Sequence, residues 1–355
     1  MKILIDIGHP GHVHLFKNFA HKMTRKGHAI LFTCRDKEFE IQLLKAEGFN
    51  FVSFGKKYKT TVGKIFGLFK FDLLEIIQGI RFKPDLFLSH GSPYAAHASA
   101  VLGKQHISLE DTGNMEQVNL YLPFTKIVLT STAFHKDLGE KQLKYQGYHE
   151  LAYLHPKYFT PDEKIYDLLK INKHEQFVIL RFVSWNASHD INQTGLSLDE
   201  KRAVISLLEN KYKIFISSES ELPEEFKNYQ IKIPPREIHH ALAFASLFIG
   251  EGATMASECA MVGTPAIYIN TITAGTIEEQ VKYGLIFHFK TTENLMNKIN
   301  ELMCEPKLKE VFKTRQLIML NEKIDVTAFL VRFIENYPTS ASIMKENPNY
   351  QYTFK

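Results

Sequence analysis

Two stretches of this sequence carry residue types and spacings that can do chemistry. The first, residues 248–270, reads FIGEGATMASECAMVGTPAIYIN: an apolar run, a turn bracketed by Gly250 and Gly252, a helix from about Ala253 and Thr254, and a second apolar run. The glycines relax the turn, and the first N–H groups of a helix have no partner within it, so they point at whatever lies above the sheet. That is chemistry for an anion, and a diphosphate fits it. Glu258 follows Thr254 by four residues, hence lies one turn deeper on the same helix face, where a carboxylate can accept hydrogen bonds from a ribose diol. Gly263-Thr264-Pro265 ends the helix. The plain alternative is a strand, turn and helix whose glycines serve packing alone.

The second stretch is the turn Gly8-His9-Pro10-Gly11-His12-Val13-His14, with three histidines in six residues. His-x-His after a strand can ligate zinc, but the spacing identifies no third or fourth donor, so no metal is expected. No Asp-x-Asp occurs, so a carboxylate-held cation bridging a diphosphate is not indicated either. Polar residues also gather after two further apolar runs, in Ser89-His90-Gly91-Ser92 and in Glu110-Asp111-Thr112-Gly113-Asn114. Ser92, Glu110, Asp111 and Asn114 there suit a pocket for sugar or acceptor hydroxyls.

The elements that must position these groups follow a βαβα rhythm. Residues 2–7 form an apolar run typical of a central parallel strand, followed by a helix over 12–26 that Gly27 ends. Strands over 29–34, 51–54, 86–89 and 106–109 and a helix over 36–47 follow, and 127–130 closes the first sheet. The crossing at 145–156 sets a domain boundary near residue 160. Strands over 177–182, 213–217, 230–233, 247–250 and 266–269 and helices over 236–245, 292–304, 306–321 and 326–336 form the second half. Three segments result: 1–160, 161–337 and an appended tail, 338–355, with the helix over 326–336 expected to pack back across the domains. The rhythm predicts doubly wound α/β sheets with ligands at the carboxyl ends of the strands. His189-Asp190 reads as a loop cap rather than an imidazole oriented by a carboxylate, and residues 217–220 as a hydroxyl-rich strand end.

The 250–270 pattern resembles the nucleotide-sugar-binding element of GT-B glycosyltransferases and of the non-hydrolysing UDP-N-acetylglucosamine 2-epimerases. The resemblance implies two Rossmann-like domains facing across a cleft, the N-terminal one on the acceptor side and the C-terminal one binding a UDP-sugar. Gly11-His12-Val13, with His21 nine positions after His12, is similar to the first turn of the peptidoglycan lipid-linked N-acetylglucosaminyltransferases. It implies that His12 is a general base or acceptor-positioning residue, its basicity lowered somewhat by a helix N-terminus. His9 then braces the loop, and His14 and His21 are structural. Glu110 and Asp111 are alternative bases, and nothing in the sequence chooses among the three.

The epimerases carry His-Gly-Asp and two glutamates where this chain has His90-Gly91-Ser92, Glu110 and Glu116. Serine without an activating partner is too weakly acidic to replace the carboxylate in proton transfer. The resemblance also implies that Arg181, at a strand end, faces the diphosphate with its planar fork. It places Gly252, Ala253 and Thr254 at the phosphates, and Glu278 and Gln280 near the donor sugar. The expectation is a metal-independent glycosyltransferase of surface polysaccharide or glycoconjugate synthesis, acting on a glycan or lipid-linked acceptor with no cofactor beyond the nucleotide sugar. The alternatives are an epimerase-like isomerase or hydrolase, or a non-catalytic nucleotide-sugar binder.

Composition agrees with a soluble globular protein: 355 residues, 45% hydrophobic and 23% charged, are enough for two ordinary α/β domains. A formal net charge of +4 gives no reason to expect nucleic-acid binding. Cys34, Cys259 and Cys304 lack CxxC spacing, which favours a reducing compartment, the cytoplasm. The opening apolar run is too short for a signal peptide, and no run reaches the roughly 18 apolar residues of a membrane span. Residues 56–83 are basic, with Phe66, Phe69 and Leu73 at helical spacing. The simpler reading is a core helix with a solvated basic face; the alternative is a peripheral contact with the inner face of a membrane.

Overall fold

A computed structural model describes residues 1–58, 60–183, 195–218 and 221–355; His189, Asp190, Glu219 and Ser220 lie outside the described residues. The chain forms two compact units, Met1–Tyr158 with Lys323–Lys355, and Phe159–Glu322. The first contains a seven-stranded sheet built from β1 (Lys2–Ile7), β2 (Ala29–Asp36), β3 (Phe51–Lys56), β4 (Leu86–His90), β5 (Gln105–Glu110), β6 (Ile127–Ser131) and β7 (Gln142–Tyr145). Their order is β3-β2-β1-β4-β5-β6-β7, every pair parallel. Ile3, Leu4, Ile5 and Ile7 have no exposure at all, as expected of a central strand covered on both faces.

The second unit has β8 (Phe177–Phe182), β9 (Lys213–Ser218), β10 (Leu247–Gly250), β11 (Ala266–Ile269) and β12 (Ile286–Phe289), in the order β12-β11-β10-β8-β9, again parallel throughout. In each sheet the strand order reverses at one place, between β1 and β4 and between β8 and β10. The diverging loops leave a crevice beyond the strand ends at these switch points. The His-rich turn and the Gly-bracketed turn follow β1 and β10, so each lies at a switch point.

Several expectations need correction. β6 does not close the first sheet, because β7 pairs on its outer side, and β12 extends the second sheet beyond β11. Residues 230–233 are not a strand; Gln230 makes only an isolated bridge with Ile216. Residues 323–355 belong to the first unit rather than being divided between the second domain and an appended tail. Helix Val326–Glu335 packs on helix Pro10–Arg25, and Thr327 Oγ1 donates to the Ala152 carbonyl at 2.7 Å. Beyond helix Thr339–Glu346, Gln351 Oε1 accepts from the Gln146 amide at 2.5 Å, and the Phe354 carbonyl accepts from the Asp325 amide at 2.6 Å.

His106 on β5 has no exposure; its Nε2 lies 2.9 Å from Ser89 Oγ and its Nδ1 lies 2.8 Å from Thr125 Oγ1. Burial, with a smaller effect from His97, lowers its pKa from 6.5 to about 3. The unfolded chain therefore takes up this proton first. The contribution to stability is complete above the unfolded pKa of 6.5 and is lost as the pH falls toward 3. His106→Gln, which keeps a donor and an acceptor, should shallow the fall in urea-unfolding free energy between neutral pH and pH ~4.5 by up to about 1.4 kcal/mol per pH unit. Equal slopes in the two proteins would refute this.

Candidate functional site

In the second unit, Arg181 of β8 lies directly beside Gly250 of β10. A Cβ on Gly250 would sit 2.7 Å from Arg181 Cβ and 2.7 Å from the Phe248 ring, so the strand end accepts no side chain. Gly252 is the N-cap of helix Ala253–Val262 and offers no side-chain cap, which leaves the first helical N–H groups without a partner from the cap residue. Thr254 is exposed, and Gly252 and Ala253 are half-buried. The aliphatic stem of Arg181 passes Gly252, with Cγ 3.6 Å from where a Cβ there would lie, and its Nη1 donates to Ser217 Oγ at 2.8 Å. A cation and a helix N-terminus therefore adjoin at the switch point.

Glu251 inside this turn went unrecognised in the sequence. With 1% exposure, it accepts from the Val183 amide at 2.9 Å and the Leu196 amide at 2.7 Å, fixing the chain beyond β8 to the turn. Glu258 lies one turn into the helix, as its spacing predicts, and is buried with Oε1 2.9 Å from His239 Nε2. Glu278 is half-buried in the first turn of helix Gly275–Lys282. Gln280 does not join it: it has no exposure and donates to Ser257 Oγ at 2.7 Å. Residues two apart on a helix point about 200° apart, so the two cannot face one sugar, and Gln280 instead ties two helices together.

In the first unit the histidines of the opening turn do not converge. His9 Nδ1 accepts from the Gly11 amide at 3.1 Å and caps helix Pro10–Arg25. The buried His14 ring packs on Tyr153, and His21 lies 3.0 Å from Glu47. His12 Nδ1 accepts from the Gly8 amide at 3.2 Å. A backbone N–H can only donate, so the neutral ring carries its proton on Nε2. His12 is therefore set to donate rather than to take a proton. Its ring lies 4.4 Å from that of His90, and burial and then His90 hold its pKa well below 6.5.

Beyond β4 and β5, Ser92 is buried as the N-cap of helix Pro93–Val101 and donates to Asp6 Oδ2 at 2.5 Å. Asn114 caps helix Met115–Tyr121. Glu110 is buried; Oε1 accepts from the Thr112 amide and hydroxyl and the Gly113 amide, and Oε2 accepts from the Tyr121 hydroxyl, at 2.7–2.9 Å. These three expected pocket or catalytic residues therefore organise turns: Ser92 and Glu110 through their side-chain oxygens, and Asn114 through Oδ1. Asp111 differs. Its side chain is 34% exposed, with Oδ1 2.9 Å from His90 Nε2 and Oδ2 3.1 Å from His149 Nδ1. Burial alone would raise its pKa, but His90 and His149 outweigh that and hold the carboxyl well below 3.8. Burial would lower His90, yet Asp111 lifts it to about 9.

His149 and Arg35 were not singled out in the sequence. His149 follows the short edge strand β7, and Arg35 on β2 pairs with the buried Asp6 of β1 under the Gly8 turn. Among the described residues, no helix is long and apolar enough to cross a membrane.

Comparison with known proteins sets this geometry in context. The sequence profile of the family described as "Protein of unknown function (DUF354)" matches residues 1–335. The chain belongs to that family. No curated protein sequence matches it. Among solved structures, the chain is similar to MnaA of S. aureus with UDP, at TM-score 0.71 and 12% identity over 96% of this chain and 97% of that one. The UDP-GlcNAc 2-epimerase of Neisseria meningitidis bound to UDP-GlcNAc gives TM-score 0.65 and 13% identity over 88% and 94%. MurG of Acinetobacter baumannii gives 0.56 and 14% over 94% and 99%. The DUF354 chain thus has the GT-B fold, with two Rossmann-like parallel-sheet units.

The contact at Gly250 gives a direct test of this turn. Gly250→Ala should destabilise the protein by about 1–3 kcal/mol through overpacking against Arg181 and Phe248. Gly252→Ala, whose nearest neighbour would be an ordinary 3.6 Å away, should cost less. Urea unfolding that ranks the two in the opposite order would overturn the assignment.

Proposed function

We propose that this DUF354 protein is a glycosyltransferase that takes a nucleotide-sugar donor, a UDP-sugar, and works in surface polysaccharide or glycoconjugate synthesis. The observation that carries this reading is the adjoining of Arg181 and the helix N-terminus at Gly252–Thr254 beside a strand end that excludes any side chain. Such a cradle binds a diphosphate and stabilises it as leaving group without a bridging cation. Thr254 contributes a hydroxyl beside the phosphates, Glu258 accepts from the ribose, and Glu278 meets the donor sugar. The UDP and UDP-GlcNAc named for two structures of the same fold support the choice of nucleotide.

The acceptor belongs to the first unit. Asp111, the half-buried carboxylate among the three catalytic candidates, acts on the acceptor hydroxyl; His12 donates a hydrogen bond, and Glu110 holds the turn that presents Asp111. Position 92 carries a hydroxyl that donates to Asp6, a carboxylate with no exposure, and this lack of a carboxylate at the position itself supports transfer over epimerisation.

A lipid-linked acceptor at the inner face of a membrane fits one further feature. On helix Thr61–Phe82, Phe66, Phe69, Leu73 and Ile80 are 57–69% exposed, and their spacing of three, four and seven residues puts them on one stripe. Exposed Lys56 and Lys57 precede the helix, and Arg81 and Lys83 stand at its end. The solvent face of this helix is therefore apolar between basic ends, the arrangement of an interfacial helix on anionic lipid.

Calorimetric titration with UDP, other nucleoside diphosphates and UDP-sugars tests the donor reading. One UDP-sugar should bind best, with Arg181→Ala weakening it about 10- to 100-fold, as for loss of a charge-assisted hydrogen bond. Asp111→Asn should keep that affinity but lose at least ~100-fold in turnover. No binding by the wild type, or full affinity in Arg181→Ala, would sink the proposal. For the membrane contact, wild type should co-sediment with phosphatidylglycerol vesicles more than with phosphatidylcholine vesicles, and a Phe66→Ser, Phe69→Ser variant should stay in the supernatant. Equal sedimentation of the two proteins would rule it out.

A further inference from the structure

We propose that His90, Asp111 and His149 form a binding site for one divalent transition-metal ion in the first unit. The proposal rests on the reading of Asp111 as the acceptor-side carboxylate and gives it a means of acting. The three donors come from separate segments: the last residue of β4, the residue after β5, and the loop beyond β7. Their ligand atoms all lie within 4.8 Å of one another, and no other group of three or more His, Cys, Asp or Glu among the described residues meets that spacing.

The geometry has the character of a ligand set. Asp111 turns one oxygen to each imidazole, at 2.9 Å and 3.1 Å. In a tetrahedral site with bonds of about 2.0–2.1 Å, neighbouring donors stand about 3.3 Å apart, close to the two carboxylate–imidazole separations, and all three ligand atoms lie within 4.8 Å, so side-chain rotations bring them around one ion. Both imidazoles are held in place. The His90 ring lies between those of His12, at 4.4 Å, and His149, at 5.1 Å and nearly perpendicular, and the His149 ring stacks on Tyr145. Their side chains are only 8% and 7% exposed while Asp111 is 34% exposed, so an ion enters from the carboxylate side and retains positions facing solvent.

Two imidazoles and one carboxylate select zinc, iron, cobalt or manganese over magnesium and calcium, which prefer oxygen donors throughout. With three protein ligands, at least one coordination position remains for water or a hydroxyl, whose O–H a bound cation acidifies. The substrate class this site takes is therefore a hydroxyl-bearing acceptor that binds through oxygen. The ion is distinct from any cation on the donor diphosphate, the role given to Arg181 in the other unit.

The test is metal uptake by the chelator-treated full-length protein, with Zn²⁺ followed by calorimetry and Co²⁺ by its visible absorption. Wild type should take up one equivalent, and Zn²⁺ should raise its Tm. Asp111→Asn and His149→Gln should each weaken binding at least about 10- to 100-fold. His174→Ala, at an exposed histidine remote in sequence from the three, should bind as wild type does. Circular dichroism identifies folded variants, and His149→Gln decides if Asp111→Asn fails to fold. Absence of a stoichiometric equivalent in wild type, or wild-type affinity in His149→Gln, overturns the proposal. UDP titration of the same samples separates the two readings: UDP binding without metal overturns this one alone, and metal binding without UDP supports this one while overturning the donor assignment.

Discussion

The first unit depends on a carboxylate that has no contact with water. Asp6, near the end of the central strand β1, has no exposure, and a buried charge persists only if it is paired and hydrogen-bonded. Arg35 on β2 neutralises it, and Thr33 and Ser92 donate to its two oxygens. One carboxylate thereby ties the end of β1 to β2 and to the start of the helix after β4. Those are the segments that carry the Gly8 turn, His12 and His90. Glu75 brings a second carboxylate to the same place; burial, and then the charge on Asp6, push its pKa well above 4.5, which favours its neutral form beside the pair. Removing either member of the Asp6–Arg35 pair would strand its partner at a cost of about 3–5 kcal/mol.

What could be read in the sequence follows from where the signal lies. β1, β8, β10 and β11 are continuous apolar runs because both faces of a parallel sheet are covered, and each was legible to within a residue or two. β7 and β12 are four-residue edge strands, QLKY and IFHF, too short and too mixed for either pattern to declare itself. The opposite error occurred at 230–233, where alternating isoleucines suggested a strand although only one bridge forms. The return of residues 323–355 to the first unit was legible only in part: the helix over 326–336 was expected to pack back across the domains, but the segment after it was read as an appendage.

The candidate sites divide along the same line. The strand, glycine turn and helix of 247–262 were legible because they are contiguous, and local backbone geometry does the rest. The cluster around Asp111 was not, since His90 and His149 stand 21 and 38 residues away and meet only through strand order. Residue type also misled. Ser92, Asn114 and Glu110 look like pocket residues, yet short polar side chains beside helix starts and turns are the groups most readily taken up as caps. His12 shows the finer limit, because its place in the turn was readable while its tautomer is set by the Gly8 amide.

The two units therefore present different chemistries at the switch points of two doubly wound parallel sheets that differ in strand order. At its switch point the second unit brings the stem of a guanidinium past helix N–H groups that have no side-chain cap, both donors of the kind that suit phosphate oxygens. The first offers two imidazoles and one carboxylate, a set poorly suited to phosphate and well suited to a borderline cation or a polarised hydroxyl. A transfer reaction needs both kinds of site, one to take up the charge that develops on the leaving group and one to raise the reactivity of the incoming oxygen. The absence of Asp-x-Asp bears only on the first of these demands, since that motif would hold a cation on the diphosphate. It is therefore compatible with a metal ion at Asp111.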